Sequence, residues 1–194
     1  MIVVQPDSER VAIATVARVG QAARALGGVG RIVTICGLFL VVIVSITATQ
    51  SVAHSIFLGM SGWILVGAAV VDVQEFRLPN RLLALAALAA LTAGFGVGET
   101  PALLGCLLGG LVCGSMMLVV HVRRGVGMGD VKASTVVGMG CGSVALVLGP
   151  LAIAAGALTA AVIGLVTHRS RLALGPSLLV GWIVVLGTKG WWMS

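Results

Sequence analysis

Charge is scarce in this 194-residue chain. Asp, Glu, Lys and Arg together make up 9% of the residues, and only 6 of them are acidic. Apolar residues make up 59%, and the mean hydropathy is +1.16. Soluble domains have about 45–50% apolar and about 25% charged residues. So little polar surface excludes a soluble globular protein and predicts an all-α integral membrane protein with several spans.

Metal-binding and nucleotide-binding patterns are also missing. The four cysteines form no C-x-x-C pair, and the three histidines have no ligand spacing. We therefore predict no metal and no cofactor, and we interpret the cysteines as small packing residues of apolar stretches: Cys36, Cys106, Cys113 and Cys141. The histidines are isolated at segment ends, where an interface position is favoured: His54, His121 and His168.

The basic residues give the chain a net charge of +6. In a soluble protein this would suggest nucleic acid, but here they flank apolar segments and are interpreted as orientation signals, with no nucleic-acid partner. Seven apolar segments are present, at about 32–50, 55–72, 81–98, 101–121, 131–141, 143–167 and 173–191. The fifth is too short to cross a core of about 30 Å, so the chain has six or seven spans.

Orientation follows from the same residues. If the N-terminus is cytoplasmic and the segments alternate, every one of the twelve Lys and Arg residues except Lys189 lies on the cytoplasmic side. This arrangement predicts a multi-pass protein with a cytoplasmic N-terminus, and it places Asp72 and Asp130 at the same face. Residues 1–30 form a basic cytoplasmic or interfacial segment, and residues 31–194 form the membrane domain. A signal peptide with its apolar core at 32–46 is the alternative, but its n-region would be unusually long.

The two aspartates lie where ionisable groups are costly, so they are functional candidates. Two carboxylates in a partly desolvated site share one proton. The ionised member can take a proton from water while the protonated member donates to a carbonyl oxygen, which hydrolyses a peptide bond without a metal. The same pair could relay protons in a transporter, or each aspartate could simply pair with a nearby Arg or Lys.

The residues around the aspartates favour catalysis. Pro79 restricts Leu78 to extended conformations and suits the first turn of the next helix. Gly127 and Gly129 permit positive φ and remove side chains beside Asp130, so that a substrate backbone can approach. A nucleotide-binding loop is disfavoured, because no strand precedes these glycines and no Walker lysine follows at the required spacing.

Three stretches together, DVQEFRLPN (72–80), GMGDVK (127–132) and LALGPSL (172–178), resemble motifs of the type IV prepilin peptidase family, membrane aspartyl proteases of the G-x-G-D kind. The resemblance implies that Asp72 and Asp130 are the catalytic pair. It also implies that the following residues shape or position the site: Gly127, Gly129, Lys132, Arg77, Pro79, Asn80, Gly175 and Pro176.

The resemblance further implies a substrate and a location. The substrates would be prepilins or pseudopilins, whose short basic leader precedes an apolar helix, cleaved at the cytoplasmic face of a bacterial or archaeal cytoplasmic membrane. Longer members add a domain with C-x-x-C motifs and methylate the new N-terminus. Because those cysteines are absent, we expect a short form, similar to enzymes of Tad-type pili, without methyltransferase activity. The alternative is a catalytically silent membrane scaffold or a proton-coupled small transporter.

Overall fold

The computed structural model describes residues 17, 21, 27–49, 51–75, 78–96, 100–123, 126–167 and 174–189. Within these residues the protein is all α, as predicted, and each of the seven apolar segments overlaps one helix. The helices are α1 Gly27–Ala48, α2 Val52–Glu75, α3 Asn80–Gly96, α4 Thr100–Val122, α5 Met128–Gly142, α6 Leu148–Thr167 and α7 Leu174–Gly187. Most of the predicted N-terminal segment 1–30 lies outside the described residues, as do Arg77 and His168.

The helices have the lengths and surfaces of a membrane protein. Among the described residues, three stretches are long and apolar enough to span a bilayer: Val52–Gln74, Thr100–Val122 and Leu148–Val166. Three shorter apolar stretches accompany them: Thr34–Ala48, Asn80–Phe95 and Leu174–Gly187. Large apolar side chains are exposed along α4 and α6. Soluble monomeric proteins rarely expose continuous apolar surfaces of this kind. The chain is a multi-pass membrane protein.

Helix α5 is central and short. It contacts α2, α3, α4, α6 and α7, and most of its side chains are buried. Its 15 residues extend over about 22 Å at 1.5 Å per residue, less than the hydrocarbon core. Helix α5 nevertheless runs from the end of the bundle that holds Asp130 to the opposite end, where Ser143, directly after the helix, contacts His54.

Helices α4 and α5 meet through a glycine seam, formed by Gly105 and Gly109 of α4 and Gly138 and Gly142 of α5. A Cβ atom added to Gly109 would collide with the carbonyl oxygen of Gly138 and would lie 3.0 Å from the Cα of Gly142. Added to Gly138, it would collide with the carbonyl oxygen of Gly109. Helices in lipid associate through such close packing because burial from water contributes little there. The seam fixes α5 along the axis of α4.

The interpretation of the cysteines as packing residues holds for three of them. Cys106, Cys113 and Cys141 are fully buried, and Cys113 contacts the seam at Gly138. Cys36 is exposed on α1, so for this residue the interpretation is wrong. All four are free thiols.

Candidate active site

Four helix ends meet at one end of the bundle. Asp72 lies in the last turn of α2, and Asp130 lies in the first turn of α5. Helix α3 begins beside them at Asn80, and α7 begins with Leu174 and Gly175. The chain therefore brings residues from all three sequence motifs to the same end of the structure.

Asp72 is buried and bound to the start of α7. Its side chain is 5% exposed, and its Oδ2 accepts a hydrogen bond of 3.0 Å from the backbone N–H of Gly175. The first N–H groups of a helix have no partner within the helix and form the positive end of its dipole. Burial disfavours the ionised form of the Asp72 carboxyl group, and this hydrogen bond acts in the opposite direction. A Cβ atom on residue 175 would lie 2.9 Å from Oδ2, so the contact depends on glycine.

Asp130 is half-buried in the first turn of α5. Its Oδ2 accepts a hydrogen bond of 3.2 Å from the N–H of Gly127. Burial, and in second place the negative charge of Asp72, raise the pKa of Asp130 from 3.8 to about 6, although the Gly127 hydrogen bond acts in the opposite direction. Asp130 therefore keeps its proton to a higher pH than an ordinary aspartate, and the charge of Asp72 contributes to this.

The segments that carry the aspartates are held against each other. The Nζ of Lys132 donates a hydrogen bond of 2.8 Å to the Oδ1 of Asn80, which joins α5 to the first residue of α3. A Cβ atom on Gly129 would lie 3.2 Å from the Cβ of Leu78, so this glycine permits close contact with the turn before α3. The carbonyl oxygen of Pro79 accepts a hydrogen bond of 3.2 Å from the N–H of Leu83, in the first turn of α3.

The remaining predicted positions are less informative. Pro176 is half-buried beside Gly175 in the first turn of α7, where the absent N–H of proline is tolerated. Arg77 lies outside the described residues. In the described part of the chain no group of three or more His, Cys, Asp and Glu side chains has metal-binding geometry.

One residue near the site was not predicted. The Nδ1 of His121, in the last turn of α4, lies 2.7 Å from the carbonyl oxygen of Val126 and donates to it. This bond closes the loop that precedes Gly127. In the sequence, only the position of His121 shortly before the G-x-G-D residues pointed to this role. A hydrogen bond from a side chain to a backbone carbonyl produces no residue spacing that a sequence pattern could reveal.

The arrangement places two carboxyl groups with different hydrogen-bond partners at one end of the bundle. Asp72 accepts a hydrogen bond from the first turn of α7, and Asp130 has a raised pKa and carries a proton in mildly acidic solution. A general base and a general acid at one site can divide proton transfers between them.

Comparison with known proteins agrees with this chemistry. Residues 59–165, more than half of the chain, match the model of the type IV leader peptidase family. The matched range includes both aspartates and ends before Gly175. No match was found among curated proteins or among solved structures.

Proposed function

The chain belongs to the type IV leader peptidase family, whose members are aspartic prepilin peptidases, and from this premise we propose that Asp72 and Asp130 are its catalytic pair. The enzyme is an aspartic endopeptidase. The substrate that we propose is a prepilin or a related pseudopilin, from which the enzyme removes a short basic leader.

One observation carries the assignment of the pair. The charge of Asp72 acts on the pKa of Asp130, although the two residues are far apart in sequence and belong to different helices. Two carboxyl groups that repel each other in this way ionise less readily together than either would alone. Structural carboxylates are instead usually paired with a cation, and no ion pair of either aspartate is found among the described residues.

The proposed reaction assigns the ionised state to Asp72 and the protonated state to Asp130. The carboxylate of Asp72 removes a proton from a water molecule, whose oxygen attacks the carbonyl carbon of the scissile bond. The proton on Asp130 passes to the carbonyl oxygen and gives a tetrahedral diol. When the diol collapses, one of its hydroxyl groups returns a proton to Asp130, the carbon–nitrogen bond breaks, and the proton that Asp72 received passes to the leaving nitrogen. The products are the leader acid and a new N-terminal amine.

The surface beside Asp130 suits an extended substrate. Gly127 and Met128 are exposed, as are Asn80 and Lys132, whereas Asp72 lies deeper. A substrate backbone can approach Asp130 closely over Gly127, which has no side chain. The apolar helix of the substrate would stay in the bilayer beside the bundle. We place this end at the cytoplasmic face, because all Lys and Arg residues except Lys189 are assigned to that side.

The test is a processing assay with a co-expressed prepilin. Asp72→Asn and Asp130→Asn should each lower the cleavage rate by about 10²–10⁴-fold, the usual contribution of a general acid or base. Glu75→Gln is the matched control, because it removes a carboxylate from the same helix end and should process normally.

Two outcomes would contradict the proposal. If both aspartate variants process normally and Glu75→Gln does not, the assignment of the pair is wrong. If all three variants process normally, the carboxylates are not catalytic, and a scaffold or a transporter would explain them better.

A further inference from the structure

A second site lies at the opposite end of the bundle. A cavity of about 510 Å³ opens there between the ends of α1, α2, α4, α5 and α7. Its wall includes the polar residues His54, Ser143 and Lys189 and the apolar residues Leu104 and Leu108. About 27 Å of helix α2 separates His54 from Asp72 at 1.5 Å per residue. This distance is close to the thickness of the hydrocarbon core, so the cavity is not part of the proteolytic site.

Lys189 supplies the positive charge of the cavity. Its Nζ donates a hydrogen bond of 2.7 Å to the carbonyl oxygen of Ala48, the last residue of α1, and thereby caps the negative end of that helix. An ammonium group has three N–H donors, so this bond leaves two for a ligand. No Asp or Glu is present among the described residues that line the cavity. Within the described part of the wall, no carboxylate neutralises the charge of Lys189.

His54 supplies an acceptor. The hydroxyl of Ser143 donates its single hydrogen to the carbonyl of Gly140 at 2.8 Å. In its contact of 2.9 Å with the Nε2 of His54, the Ser143 oxygen must therefore accept, and Nε2 carries the hydrogen. In the neutral ring Nδ1 then has a free lone pair, and it makes no hydrogen bond within the described part of the chain. Nδ1 can accept a hydrogen bond from a ligand hydroxyl.

The apolar wall continues onto the membrane surface. Leu104 and Leu108 lie one turn apart on α4, are about half exposed, and lead to Leu111, which is 68% exposed. Such a row of side chains offers an acyl chain a continuous path from the cavity along α4. A cation, a hydroxyl acceptor and an apolar path together match a lipid whose headgroup carries both a phosphate and a hydroxyl.

We propose that this cavity binds an anionic glycerophospholipid. Its phosphate lies against Lys189, a headgroup hydroxyl donates to His54, and one acyl chain follows Leu104 and Leu108. Helix capping alone would account for Lys189, and the bond to Ser143 alone would account for His54. Neither accounts for a cavity of this size beside a lysine that has no carboxylate partner among the described residues.

The test is native mass spectrometry of the full chain in detergent. Phosphatidylglycerol, phosphatidylcholine with the same acyl chains, and inorganic phosphate serve as probes. One phosphatidylglycerol per chain should be retained, at least tenfold more strongly than phosphatidylcholine, and millimolar inorganic phosphate should not displace it. Lys189→Met should weaken retention at least tenfold, whereas Lys189→Arg should preserve it. Displacement by inorganic phosphate would identify a site for the free anion and would overturn the assignment to a lipid.

Two further variants keep the proposal falsifiable if Lys189→Met fails to fold. Leu108→Trp fills the cavity and leaves the bond between Lys189 and Ala48 intact, so it should also lower retention at least tenfold. Arg123→Gln removes a cation from the opposite end and should have no effect. If Leu108→Trp retains the lipid as the wild type does, or if Arg123→Gln loses it equally, the cavity is not the lipid site.

Discussion

Replacing Gly175 by alanine tests the contact between α7 and Asp72. The new Cβ atom would lie 2.9 Å from Oδ2 and 3.4 Å from both Cβ and Cγ of Asp72, so the carboxylate must move away. Asp72 is buried, and the donor of its hydrogen bond is the N–H of the same residue 175. Any movement that relieves the collision therefore lengthens or breaks this hydrogen bond.

The expected loss follows from the type of bond. Hydrogen bonds to charged groups contribute about 1.5–3 kcal/mol, and each 1.36 kcal/mol corresponds to a factor of ten. Gly175→Ala should thus lower kcat/KM by about 10- to 150-fold. The loss should be smaller than that of Asp72→Asn if the displaced carboxylate retains some activity as a base. The assay is cleavage of a purified prepilin in detergent, monitored over time by gel mobility.

Gly187→Ala is the matched control on the same helix. Its Cβ would lie 3.5 Å from the Val44 side chain, an ordinary contact, and kcat/KM should stay within about twofold of the wild type. Wild-type activity in Gly175→Ala, with unchanged helix content, would refute the role of the α7 N-terminus. Equal losses in the two alanine variants would point to a general effect on α7.

Three further predictions concern stability and coupling. The pKa of Asp130 is raised in the folded protein, so ionisation of Asp130 destabilises the fold. This destabilisation is absent below pH 3.8 and develops as the pH rises to about 6. Asp130→Asn should therefore unfold at a higher temperature than the wild type at pH 8 and at the same temperature at pH 3.5. Lys132→Met and Asn80→Ala should each lower kcat/KM about 2- to 10-fold, and the double variant should lose no more than either single variant. In thermal unfolding, Gly109→Ala should destabilise by about 1–3 kcal/mol, whereas Gly37→Ala, whose Cβ meets open space, should not destabilise.

The helical fold was largely predictable from composition and segment lengths. An apolar run must form a helix in lipid to satisfy its backbone hydrogen bonds, so seven runs predicted seven helices. The predicted ends of the segments agree less well with the observed ends of the helices. The sixth segment was predicted from residue 143, but α6 begins at Leu148, because Ser143 and Val144 continue the turn that ends α5. Hydropathy does not distinguish an apolar turn from an apolar helix.

The site was predictable only as far as local motifs extend. Asp72, Asp130 and Gly175 were singled out by the residues around them, but the hydrogen bond from Gly175 to Asp72 joins positions 103 residues apart. The bonds of Lys132 to Asn80 and of His54 to Ser143 also span long distances in sequence. A single sequence contains no signal for such contacts, since they depend on how the helices pack. The central place of α5 could not be predicted for the same reason.

The glycine seam has a consequence for where the enzyme cuts. Asp130 is carried by α5, and α5 is held along α4 by backbone contacts between Gly109 and Gly138. Sliding by one helical turn would move Asp130 by about 5.4 Å relative to α4. Because the backbones of the two helices are in direct contact, α5 has no intermediate positions along α4, and the seam fixes the position of the Asp130 carboxyl group along that helix. We therefore expect the position of cleavage along α4 to stay constant in bilayers of different thickness.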